Sequence, residues 1–117
     1  MAAGDLTKIK LSGSTDGKNI KIAATATAGT LVHTAHATDL DEIYINACIP
    51  GATAKWITVE WGEATDPDGL TKLTIPAAVG WVPVVEGKLL TNSLVVRIFA
   101  ETTNLVMVDG YVLRHGQ

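Results

Sequence analysis

Between Asp41 and Gly62 the sequence DEIYINACIPGATAKWITVEWG alternates with a period of two on both sides of a Pro-Gly pair. Side chains two apart point the same way in a strand, so each half has one dry face. Ile43, Ile45, Ala47 and Ile49 share the first dry row, against Glu42, Tyr44, Asn46 and Cys48 on the other side. Ile57, Val59 and Trp61 form the second, with Thr58 and Glu60 between them. Direct pairing of the two strands predicts Ile43 opposite Trp61, Ile45 opposite Val59 and Ala47 opposite Ile57, with Cys48 beside Trp56 on the other face. In a jelly roll the two strands lie in different sheets instead.

The rest of the chain repeats this grammar. Thr7–Ser12 and Lys18–Ala24 alternate around the turn-forming SGSTDG. AATATAG, residues 23–29, is low in complexity, and its small side chains suit an extended edge segment or a short linker. Thr30–Ala37 is a further strand, and EATDPDG (63–69) is an acidic loop with a Pro-Asp-Gly turn. Thr71–Ile75 is a short strand. Val79–Val85 contains Pro83, which cannot donate to a ladder, so that strand belongs at an edge or a bulge. Glu86-Gly87 reads as a turn. Ser93–Ala100 and Asn104–Arg114 are the most hydrophobic stretches. No segment holds a 3.6-residue period, and turn signals recur roughly every eight to twelve residues. The predicted fold is all-β: an antiparallel, jelly-roll-like β-sandwich over 7–117, preceded by a flexible N-terminal arm over 1–6.

Charged residues make up 18% of the chain and hydrophobic ones 47%. So few charges cover a small domain thinly, and apolar surface is expected to meet another subunit or protein. A net charge of −3 without a basic run argues against nucleic-acid binding. No apolar run is long enough to span a bilayer and no leader pattern is present. A soluble protein is therefore expected, made in the cytoplasm or exported by a route that leaves no signal in the sequence. One cysteine, Cys48, makes neither a disulfide within the chain nor a cysteine-built zinc site.

Candidates for chemistry are few. His33 and His36, three apart, point to opposite faces of a strand and cannot share an ion within one chain. Each reads as a surface or half-buried histidine, with a metal ringed around an oligomer axis as the minor alternative. His115 is expected to be solvated on the C-terminal tail. Glu60, Glu63, Asp66 and Asp68 lack the spacing of a calcium loop, and the turn alone explains Asp68. No nucleophile elbow, phosphate loop or dinucleotide fingerprint occurs, so no catalytic residue, metal or cofactor is expected. Tyr44 and Trp56 face away from the dry rows, where large rings anchor contacts or lie under a loop. Arg97 stands between Val95 and Phe99, either with a solvated head or paired across subunits with an acid such as Asp109.

GTLVHTA, DEIYI, TVEWGEATDPDGL, LTIPA and LVVRIFAETTNLVMVDGYVLR, taken in order, resemble a family of small virion proteins of tailed bacteriophages. LTKIKLSGSTDGKNIKIAATAT extends the likeness to nearly the whole chain; Glu63 and the CIPG turn depart from it in loops. The resemblance implies a structural protein without an active site. Its expected role is capsid decoration or cement: a homo-oligomer, expected as a trimer, bridging copies of the major capsid protein on the phage head. Tyr44, Trp56, Arg97, Phe99 and Tyr111 are the expected oligomer or capsid contacts. The N-terminal arm and residues 23–29 would add as strands to a partner's sheet edge. A tail, head-tail connector or fibre-base component is the alternative within the virion. A carbohydrate-binding module using Trp56, Trp81 and Tyr44 is the alternative outside it.

Overall fold

The computed structural model of the chain describes residues 2–117; Met1, part of the expected arm, lies outside the described residues. Nine strands build two antiparallel sheets: β1 (Leu6–Lys10), β2 (Ile20–Ile22), β3 (Thr30–Thr34), β4 (Leu40–Cys48), β5 (Lys55–Trp61), β6 (Leu70–Ile75), β7 (Val82–Leu90), β8 (Val95–Ala100) and β9 (Val106–His115). The first sheet runs β1-β9-β4-β7, with β2 also paired to β9; the second runs β3-β8-β5-β6. Outermost strands pair with outermost: β1 and β2 with β9, β3 with β8, β4 with β7, β5 with β6. That is one long hairpin, its tip the acidic loop between β5 and β6, wound into a jelly roll.

The alternation places the core as expected. Ile43, Ile45 and Ala47 are wholly buried and face Ile57, Val59, Val96 and Ile98 of the second sheet. Burying a side chain of this size stabilises by about 1.5–3 kcal/mol, so these rows supply most of the drive to close the sandwich.

The central strands do not pair with each other. β4 lies in one sheet and β5 in the other, and Ile43 stands opposite Val112 and Lys88, not Trp61. The Pro50-Gly51 connection therefore crosses between sheets. Glu86-Gly87 is not a turn either: β7 continues through it, and Gly87, at φ +80°, is the extra residue where the register against β4 shifts between Ile43 and Tyr44. Pro83 sits on an edge strand beside a second register shift, where no ladder bond is demanded of it.

Both expected arms are tied to their own chain. Leu6 already belongs to β1, and the turn at Ala2–Asp5 exchanges backbone bonds with the C-terminus, Gly4 N–H to Gly116 O (3.1 Å) and Gly116 N–H to Asp5 O (2.8 Å). Residues 23–29 form a loop rather than a strand. Buried Glu60 holds it down, accepting from Gly29 N–H and the Thr27 hydroxyl, both at 2.7 Å.

Candidate functional site

The five residues expected to make contacts divide between opposite outer faces of the sandwich. Tyr44 and Tyr111 are paired across β4 and β9 on the first sheet. Their rings stack with centroids 4.7 Å apart. Trp56, Arg97 and Phe99 stand on β5 and β8 of the second sheet. Phe99 meets Trp56 edge-to-face at 6.1 Å, and Lys72 covers the indole at 4.2 Å. Arg97 reaches back to the Gly29 carbonyl at 3.4 Å. Asp109 belongs to the other sheet and is engaged by Asn46, so Arg97 and Asp109 are not a pair within one chain. Trp81 is exposed in the loop before β7. One chain therefore offers no platform built from Trp56, Trp81 and Tyr44 together.

Around the tyrosine pair several polar groups of the first sheet's outer face have partners within the chain, while Glu86, opposite Tyr44 on β7, is exposed. Lys8 lies 4.5 Å over the Tyr111 ring. Glu42 accepts from the Tyr44 hydroxyl and faces His115 Nε2 at 2.9 Å. Those hydrogen bonds, Tyr44's first, hold the Glu42 carboxyl below its ordinary value; the same bond raises the Tyr44 phenol. His115 is thus a strand residue with a carboxylate partner, not a free tail side chain. Between these groups lie Leu40, Leu113, Leu6 and Leu89, the last two 59% and 51% exposed. An antiparallel sheet facing water is ordinarily polar on that side. This one mixes aliphatic and aromatic surface with polar groups, several of which have partners within the chain.

A second constellation was hidden from the alternation. His33 is buried, because β3 shifts register between Leu31 and His33 and the bulge turns both Val32 and His33 inward. Its Nδ1 accepts from Ser12 N–H at 3.0 Å, so Nε2 carries the proton and donates to Asp41 Oδ2 at 2.7 Å. Arg114 grips the same carboxylate twice, at 2.7 and 3.0 Å. Burial pushes the imidazole below its ordinary value, against the opposing pull of Asp41. Burial alone would raise the Asp41 carboxyl, but the bonds from Arg114 and His33 outweigh it and hold the group low. His36 lies beyond β3, its Nδ1 accepting from the backbone of Thr38 and Asp39. A legible signal for the cluster existed: Asp41 has the parity of Ile43 and Ile45, and a carboxylate on a dry row must have partners.

Both ring nitrogens of His33 are occupied, Nδ1 by Ser12 N–H and Nε2 by Asp41. Among the described residues no group of three or more His, Cys, Asp or Glu side chains is arranged to hold a metal ion. Compared with known proteins, the chain matches no family model, no curated protein and no solved structure.

Proposed function

We propose that this chain is a structural protein of a tailed-bacteriophage virion, docking on the head as a decoration protein that bridges neighbouring capsomers. One observation carries the assembly part of that reading: the outer face of the first sheet holds the Tyr44–Tyr111 stack and the exposed Leu6 and Leu89 among its polar side chains. Glu42, His115, Asn46 and Asp109 on it are paired in advance, so covering them strands few donors or acceptors. Such a face suits a large partner. The phage head as that partner comes from the sequence resemblance.

The test is co-sedimentation of the purified chain with phage heads lacking it, followed by cryo-microscopy of the loaded particles. Density on the outer head surface is expected. Leu6→Asp and Leu89→Asp, both at exposed positions, are expected to abolish retention without changing the circular dichroism spectrum. Heads that retain no protein at saturating concentration, or retention indifferent to both substitutions, would refute the proposal.

A further inference from the structure

A sheet edge presents unpaired backbone N–H and C=O groups, and chains that stay single blunt such edges with proline, bulges, inward charges or covering loops. Three edges of this sandwich are blunted. The β1/β2 edge is interrupted by the excursion over 11–19. β7 carries Pro83, two register shifts and Lys88, which shares the core-facing side of Ile43 and lies 4.8 Å from the Trp61 ring. β3 is bulged and bonded to the Ser12–Gly13 segment. β6 has none of these, and its one charged side chain, Lys72, lies on the outer face over the Trp56 ring. Its register against β5 is unbroken, it contains neither proline nor glycine, and Thr71, Lys72 and Thr74 are exposed. Beside it a groove of about 310 Å³ opens on Val59, Trp61 and Val84, leaving the flank of the core unsealed.

We propose that β6 pairs edge to edge with β6 of a second copy, antiparallel about a two-fold axis, fusing the two β3-β8-β5-β6 sheets into one. Parity and charge select the register. Directly opposed residues share a face, so the two-fold must pass through a residue pair of like parity. Centring it on Thr71 or Thr74 keeps only a short overlap of the two strands. Centring it on Lys72 sets two ammonium groups against each other. Centring it on Leu73 puts Leu73 against its partner's Leu73, Thr71 against Ile75, and Lys72 against Thr74. That last register opposes no like charges and draws the exposed core-side Thr71 and half-buried Leu73 under cover. A ladder this short makes a small interface, so the dimer forms at high local concentration. The pairing is two-fold, in place of the trimer expected from the resemblance, and stands independently of the virion reading.

Sedimentation equilibrium from micromolar to millimolar protein is expected to show reversible growth to twice the 12.3 kDa chain mass. Thr74→Lys, at an exposed position, sets lysine against Lys72 twice and is expected to weaken the dimer about tenfold. Lys72→Glu combined with Thr74→Lys converts both contacts to opposite charges and is expected to restore it. A chain that stays monomeric at millimolar concentration, or a dimer unmoved by Thr74→Lys, overturns the pairing. Dimers weakened by Thr74→Lys but not rescued by the double substitution overturn the register. Phage heads play no part in the measurement, so its failure and that of the decoration reading are separable.

Discussion

The two flanks of the sandwich are built on opposite principles. On the β1–β3 flank the chain leaves β1, crosses to the other sheet and returns as β2, sealing the core as it goes. Leu11 is buried there, Gly13 N–H bonds Val32 O at 2.9 Å, and Thr34 N–H bonds the Ser12 hydroxyl at 2.7 Å. Beneath that crossing, His33 joins one sheet to Asp41 and Arg114 of the other. On the β6–β7 flank the connection over 76–81 passes between the sheets only at the strand ends, Ala78 N–H bonding Ile49 O at 2.9 Å. Alongside the strands a groove opens on Trp61 and Val84, with Lys88 4.8 Å from the indole. The sealed flank concentrates polar contacts that only the folded single chain can make. The open flank leaves the rim of the core accessible along β6.

The largest expected difference comes from removing the hub of the sealed flank. Asp41→Ala leaves Arg114 and His33 beside an uncompensated hole. Breaking a buried ion pair from one side costs about 3–5 kcal/mol. At the several degrees per kcal/mol typical of small domains, the melting temperature should fall by more than ~10 °C, read by circular dichroism. A fall of only a degree or two would mean that the cluster does not hold the sheets together.

Gly13→Ala strikes the same flank more lightly. A Cβ there would meet the carbonyl oxygens of Leu31 and Val32, the latter at 2.8 Å, and backbone cannot swing aside as a side chain can. Overpacking of this kind costs about 1–3 kcal/mol. The crossing segment should also lose amide protection, so hydrogen exchange at Gly13 and Thr34 should accelerate more than exchange in β4.

Acid should loosen the sealed flank as well, and the sign follows from the direction of the His33 shift. The folded value lies below the ordinary 6.5, so the unfolded chain takes up this proton first as pH falls. The His33 contribution is whole above 6.5 and shrinks as pH falls below it. It is gone once pH passes the folded value. Asp41, held below its ordinary 3.8, adds a second loss at still lower pH. Protonating Nδ1 also abolishes the bond from Ser12 N–H. Burial is what places a new charge poorly there: Asp41 favours it, and Arg114 and Lys10 oppose it more weakly. Melting temperatures at pH 7 and pH 5 should differ more in the native chain than in His33→Gln. Equal slopes would remove His33 from the account.

What the sequence revealed and concealed follows the same division. Period-two alternation located β4, β8 and the core rows, because a continuous strand keeps its parity whatever it pairs with. It could not place β5 in the opposite sheet, since a Pro-Gly connection can fold back or cross over, and both keep Ile43 and Val59 dry. The bulge at Val32 broke the parity on which the reading of His33 depended, and Glu86-Gly87, which looks like a turn, is a bulge inside a continuous strand. The outward aromatics were legible singly. Their division between two faces was not, because that requires knowing which sheet each strand joins. Trp56 and Tyr44, each outward on its own strand, end on opposite sides of the molecule for that reason.

The smallest expected effect is also the sharpest test of the contrast. Thr71 is exposed on β6 at the rim of the open groove, opposite core residue Val59 of β5. Thr71→Ala removes a hydroxyl and a methyl from a side chain without a tertiary role in the single chain. Its folding free energy in dilute solution should stay within about 0.5 kcal/mol of the native value, as for other surface changes. Urea denaturation read by tryptophan fluorescence measures this directly. If the loss instead reached about 2 kcal/mol, comparable to Gly13→Ala, the open flank would already be a sealing element of the monomer. The asymmetry between the flanks would then be a matter of shape alone, with no reserve of unsatisfied edge on β6 for a second copy to use.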